Sequence, residues 1–126
     1  MKLRIRDNSI RLRLGRGEVR RLLDEGRVAA VTRFAPSQQF EYEIEQAADA
    51  PDVVATFDGK RLLVRVPSRV VRHWAAGEEV GISAEQPTGA VGCGTLSILI
   101  EKDFECLDAP AAEAQEDAFP NPRRRC

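Results

Sequence analysis

Four residues in the chain have the right types for thiol or metal chemistry. Asp103 and Cys106 stand together in "EKDFECLD", Cys126 is the last residue, and His73 is the one histidine. Thiolate, imidazole and carboxylate are the groups that bind zinc. Their spacing is poor for it, because no CxxC pair occurs and the ligand count is low. Cys126 follows Arg123, Arg124 and Arg125, whose charge favours the thiolate and makes it a candidate reactive thiol. Cys106 reads as a reduced, partly buried cysteine, and an oxidised Cys106–Cys126 link would pin the end of the chain. His73 has no nucleophile nearby in sequence, so no dyad or triad is visible around it. "TGAVGCG" is not a phosphate loop: it lacks Gly-Lys-Ser/Thr, and no helix pattern follows it. It reads as a flexible hairpin connection.

A second group is basic. "KLRIRDNSIRLRL", Lys2 to Leu14, alternates Arg or Lys with Leu or Ile. Arg4, Arg11 and Arg13 are the candidate nucleic-acid contacts. Residues 1–33 hold ten basic residues against four acidic, and residues 34–126 hold nine against sixteen. Net charge is only −1, so the basic excess expected of a free-standing nucleic-acid binder is missing. No exposed aromatics interleave with the arginines for base stacking. Glu41, Glu43 and Glu45 repeat with the same period of two, and are the expected partners of these arginines in cross-strand ladders.

The elements that must position these groups follow from periodicity. Leu3 and Ile5 have opposite parity to Ile10, Leu12 and Leu14, which one straight strand cannot accommodate. A two-residue turn at Asp7-Asn8 restores one apolar face, with Ile5 opposite Ile10 and Leu3 opposite Leu12. "GRGEVRRLLDEG" is an amphipathic helix with Glu18 in its first turn and Gly26 as its stop. "RVAAVTRF" and "QQFEYEIE" are strands. "DVVATF" and "KRLLVRV" flank a hairpin signal at Asp58-Gly59. "PSRVVRHWAAG" is a second helix, with Ser68 as candidate N-cap and Gly77 as stop. Val70, Val71 and Trp74 point inward there, which leaves His73 on its flank. "EEVGISAE" puts Val80, Ile82 and Ala84 on one face of a strand. "EQPTGAVGCGT" is a Gly-rich loop, and "LSILIEKD" is the last strand.

The plan hairpin–helix–hairpin occurs twice, at a constant offset of 52 over many positions. The expected fold is therefore α+β: about eight mostly antiparallel strands and two short helices in one domain over residues 1–107. The halves, about 1–46 and 52–104, should share one core, since one short helix cannot cover a four-stranded face. Residues 108–126 read as an irregular or partly disordered tail, with Phe119 as the candidate anchor onto the domain.

The opening "KLRIRDNSIRLRL", the segment "EKDFECL" and the ending "DAFPNPRRRC" together resemble a family of small uncharacterised bacterial proteins, classed as a domain of unknown function. The similarity runs through nearly the whole chain. It implies a bacterial, self-contained domain and no mechanism. The chain departs from that pattern in a longer Gly-rich loop around Gly92 and in Gly17 near the first helix start.

No apolar run approaches the roughly 20 residues of a membrane helix, and no apolar leader is visible. An odd count of three cysteines argues against a closed disulfide framework. The expectation is a soluble, cytoplasmic protein that is not an enzyme and carries no cofactor: a binding or interaction domain, with a protein as the candidate partner. A competing reading is a thiol- or metal-dependent protein using Cys106, Cys126, Asp103 and His73. A third is nucleic-acid binding through Arg4, Arg11 and Arg13.

Overall fold

A computed structural model describes residues 1–77 and 79–103. In chain order the elements are β1 (Lys2–Arg6), β2 (Ser9–Leu14), α1 (Arg16–Glu25), β3 (Arg27–Ala35), β4 (Gln38–Ala47), β5 (Val54–Phe57), β6 (Arg61–Pro67), α2 (Ser68–Ala76), β7 (Gly81–Ala90) and β8 (Cys93–Lys102). This is the expected α+β fold of eight strands and two helices.

The parity shift in the opening stretch is resolved by a turn at Asp7-Asn8. Asp7 takes φ 47°, a left-handed conformation that Asp tolerates better than most residues. Ile5 then pairs with Ile10, and Leu3 with Leu12. The Asn8 carbonyl accepts the Ser97 N–H at 3.1 Å and its side-chain amide donates to the Thr95 carbonyl, so the turn is fastened to β8. The other hairpin bends one residue later than the expected Asp58-Gly59: Phe57 pairs with Leu62, the Asp58 N–H donates to the Arg61 carbonyl at 3.3 Å, and Gly59-Lys60 is the turn, with Gly59 at φ 98°. There the Asp58 carboxylate accepts the N–H groups of Lys60 and Arg61, both at 2.8 Å.

The hairpins assemble into two four-stranded sheets. Sheet A has the order β1-β2-β8-β7 and sheet B the order β3-β4-β6-β5. The hairpin pairs are antiparallel, while the central pairs, β2–β8 and β4–β6, are parallel. Each sheet thus joins one hairpin from each half of the chain. One core cluster takes Leu12, Leu14 and Ile100 from sheet A, Val28, Ile44 and Val64 from sheet B, and Leu22, Val71 and Trp74 from the helices. Gln86 of β7 clamps the edge strand β5 from the other sheet. Its amide accepts the Ala55 N–H and donates to the Ala55 carbonyl, both at 2.8 Å.

Three further local expectations need correction. Pro67, not Ser68, occupies the N-cap of α2, and no side chain caps that end. Proline's fixed φ suits a helix entry, so the chain turns in without a hydroxyl. Val80 lies before β7 and is half exposed. Its carbonyl is what the fold uses, accepting the Trp74 Nε1–H at 3.1 Å and the Lys102 N–H at 3.0 Å. The Gly-rich stretch is mostly strand: β7 runs to Ala90, β8 begins at Cys93, and Val91-Gly92 is the turn. Pro87 is accommodated because β7 is an edge strand with no donor needed on its free side. Gly89, at φ 73°, absorbs a register irregularity between Pro87 and Ala90.

Candidate functional site

The outer face of sheet A carries a shallow trough of about 700 Å³. β1 contributes Arg4 and Arg6, β2 contributes Ser9 and Arg11, β8 contributes Ser97 and Leu99, and β7 contributes Ser83 and Glu85. Strand alternation places them there: Ile10, Ile82 and Ile98 are buried on the inner face, so their neighbours point out. The three serines are short, which makes the hollow; the arginines stand along one wall and Glu85 along the opposite one. Ser9 Oγ donates to the Arg6 carbonyl at 2.7 Å, which holds the end of β1 in place.

The arginines are not equivalent. Arg11 Nε donates to Glu101 Oε1 at 2.5 Å, and Arg13 Nε donates to the same oxygen at 3.2 Å. Burial pushes the Glu101 carboxyl up, but the hydrogen bonds from Arg11 and Arg13 outweigh it and hold it below the ordinary range. Arg13 is outside the trough. Among the described residues, Arg4 and Arg6 have no acidic partner. Two guanidinium groups with full donor capacity therefore line the trough beside a third that is already engaged.

Sheet B carries acids paired with arginines on its outer face, the loosest being Glu41 with Arg61 Nε at 3.9 Å, a buried N–H left without a hydrogen bond among the described residues. Glu43 is 2 % exposed and lies between Arg27 Nη2 at 2.9 Å and Arg61 Nη2 at 2.8 Å. Arg65 pairs with Glu45 at 3.5 Å. The hydrogen bond to Glu43 holds the Arg61 guanidinium above its ordinary value. The acidic stripe Glu41, Glu43 and Glu45 is thus answered by Arg27, Arg61 and Arg65, not by the first hairpin. Parity in the sequence gives the face of a strand but not its sheet, and β4 lies in the other sheet from β1 and β2.

The registers of the two sheets correspond. Leu12 sits beside Ile100 in sheet A as Val64 sits beside Ile44 in sheet B. The Arg13–Glu101 pair then matches Arg65–Glu45. One step along, Leu99 stands where sheet B has Glu43, and Ser97 stands where it has Glu41. The trough lies where sheet A lacks the two acids of sheet B.

Of the thiol and metal candidates, Asp103 and His73 are described, and they line different hollows. Asp103 accepts a hydrogen bond from Lys2 at 2.9 Å, which lowers its pKa. His73 is exposed and meets Glu79 at 2.7 Å, beside a different hollow from the one Asp103 lines. Cys106, Cys126, Phe119 and the tail lie outside the described residues. Among the described residues no group of three or more His, Cys, Asp or Glu is placed to hold a metal ion. No described helix is long and apolar enough to cross a membrane.

Sequence reasoning singled out Arg4, Arg11 and Arg13 but missed Arg6, Ser83, Ser97, Leu99 and Glu85. Alternation around Ile82 and Ile98 carried a signal that these residues face out. Nothing in it said that β8 and β7 would lie beside β2.

The fold and the trough together define an α+β protein of two mixed four-stranded sheets, one of them with an open polar outer face. A family model of unknown function, DUF7009, matches residues 1–123, and the chain belongs to that family. No curated protein and no solved structure matches the chain.

Proposed function

We propose that the chain is a non-enzymatic binding domain whose binding face is the trough on sheet A, and that the trough takes a discrete anionic group, phosphate or carboxylate. The observation that carries this is the pair Arg4 and Arg6, without an acidic partner among the described residues and beside a hollow floored by serines. Guanidinium forks and hydroxyls are the donors that match either anion. The volume is that of a small-ligand site.

Glu85 on the far wall argues for a compact ligand over a long polyanion, because a phosphate backbone crossing the sheet meets that carboxylate. The engagement of Arg11 and Arg13 with Glu101 points the same way, since it removes two of the charges a nucleic-acid strand needs. We also infer that the two halves are an internal repeat, supported by the matching registers of the two sheets.

Calorimetric titration of the full chain with pyrophosphate at low ionic strength tests this. Saturable binding is expected, reduced about tenfold or more in Arg4→Ala/Arg6→Ala. A single-stranded oligonucleotide serves as the second titrant. Binding that tightens with oligonucleotide length, and that Arg13→Ala weakens as much as Arg4→Ala, favours the nucleic-acid reading instead. No binding of either titrant removes the proposal.

A further inference from the structure

A second hollow, of about 640 Å³, opens at the end of β8 against α1. Its floor is apolar, made by Leu14, Val19, Leu23 and Ala75. Leu23 is 38 % exposed, although the Leu22 beside it is fully buried. Arg16 and Arg20 stand one helical turn apart along its rim. Neither has an acidic partner among the described residues, whereas the adjacent Arg21 pairs with Glu25 at 3.7 Å. The hollow therefore combines uncovered apolar surface with two unanswered cations.

The chain itself supplies what fits. Asp103, the last described residue, lines the hollow, and its N–H donates to the Leu14 carbonyl at 2.8 Å. The next residues bring Phe104 and Leu107, then Asp108, Glu113, Glu116 and Asp117, and then Phe119. The hollow spans α1 from Arg16 to Leu23, about 10 Å at 1.5 Å per residue. A few extended residues cross that distance, at up to about 3.3–3.6 Å each. The family match continues to residue 123, well past Asp103, so the segment is part of the family pattern.

We propose that the stretch from Phe104 to Phe119 docks into this hollow, with its apolar side chains on Leu14, Val19, Leu23 and Ala75 and its acids facing Arg16 and Arg20. This contact is independent of the trough on sheet A. It covers the apolar surface of α1 and answers the charge of its rim. The acidic balance of the later sequence then complements the basic balance of the first 33 residues across a contact within the molecule.

Hydrogen exchange by mass spectrometry on the full chain tests the docking. Amides in 104–119 are expected to exchange about tenfold or more slowly than in an unstructured peptide. Arg16→Glu/Arg20→Glu and, separately, Leu23→Asp should each abolish that protection while β2 and β8 keep theirs. Should the double variant also lose protection in β2 and β8, Arg20→Glu alone decides in its place. Three results overturn the proposal: exchange at unstructured rates in the unmodified chain, protection that survives both changes, or protection that appears only as protein concentration rises, which assigns the hollow to a second copy.

Discussion

Glu101 answers Arg11 and Arg13 with one oxygen, and its pKa is held low as a result. An unfolded glutamate protonates at higher pH than Glu101 does in the fold. Its contribution is therefore present at neutral pH and fades as pH falls through the lowered folded-state value. Glu101→Gln should cost about 1–2 kcal/mol at neutral pH in urea titrations, and the two curves should converge in acid. A gap that stays constant with pH contradicts this. Glu43 offers an asymmetric test. Removing its carboxylate leaves Arg27 and Arg61, which are 60 % and 37 % exposed and regain water. Removing both arginines strands a buried charge, at about 3 kcal/mol or more. Arg27→Ala/Arg61→Ala should therefore be the more destabilising change by thermal unfolding, and the reverse order contradicts the account. At this scale the sequence was a good guide to inward and outward faces. It could not name partners, because an ion pair depends on which strands become neighbours.

The hairpin turns were the most legible elements. Asp7-Asn8 fixes its register through local backbone chemistry, which needs no tertiary context, whereas Asp58-Gly59 marked the second hairpin but missed its register by one residue, since the bend is Gly59-Lys60. The segment from Gln86 to Thr95 was harder. Its glycines and proline are turn signals one by one, yet an edge strand tolerates them, and being an edge is a property of the sheet. The same segment holds the Gln86 clamp, which no periodicity reveals. Gln86→Ala leaves the Ala55 N–H and carbonyl unpaired, at a cost of about 1–3 kcal/mol. Amide exchange at Ala55 should accelerate relative to Val64 on the neighbouring strand. Unchanged exchange at Ala55 contradicts the clamp.

On the scale of the whole molecule, two sheets of matching register have been given different outer faces. One is closed by Glu43 between two arginines, and the other is open around Arg4 and Arg6. Periodicity pointed to eight strands and two helices, and the shortness of the helices to a shared core. Periodicity did not reveal that each sheet would join hairpins from both halves through a parallel central pair. That pairing is decided by burial across the whole chain, and it is what creates the trough. The two faces can be compared within one experiment, an amide chemical-shift titration of the full chain with pyrophosphate. The account predicts saturable shifts at Ser83, Ser97 and Leu99, none at Glu41, Glu43 and Leu63, and loss of the shifts in Arg4→Ala/Arg6→Ala. Equal shifts on both faces, or none on either, contradict it.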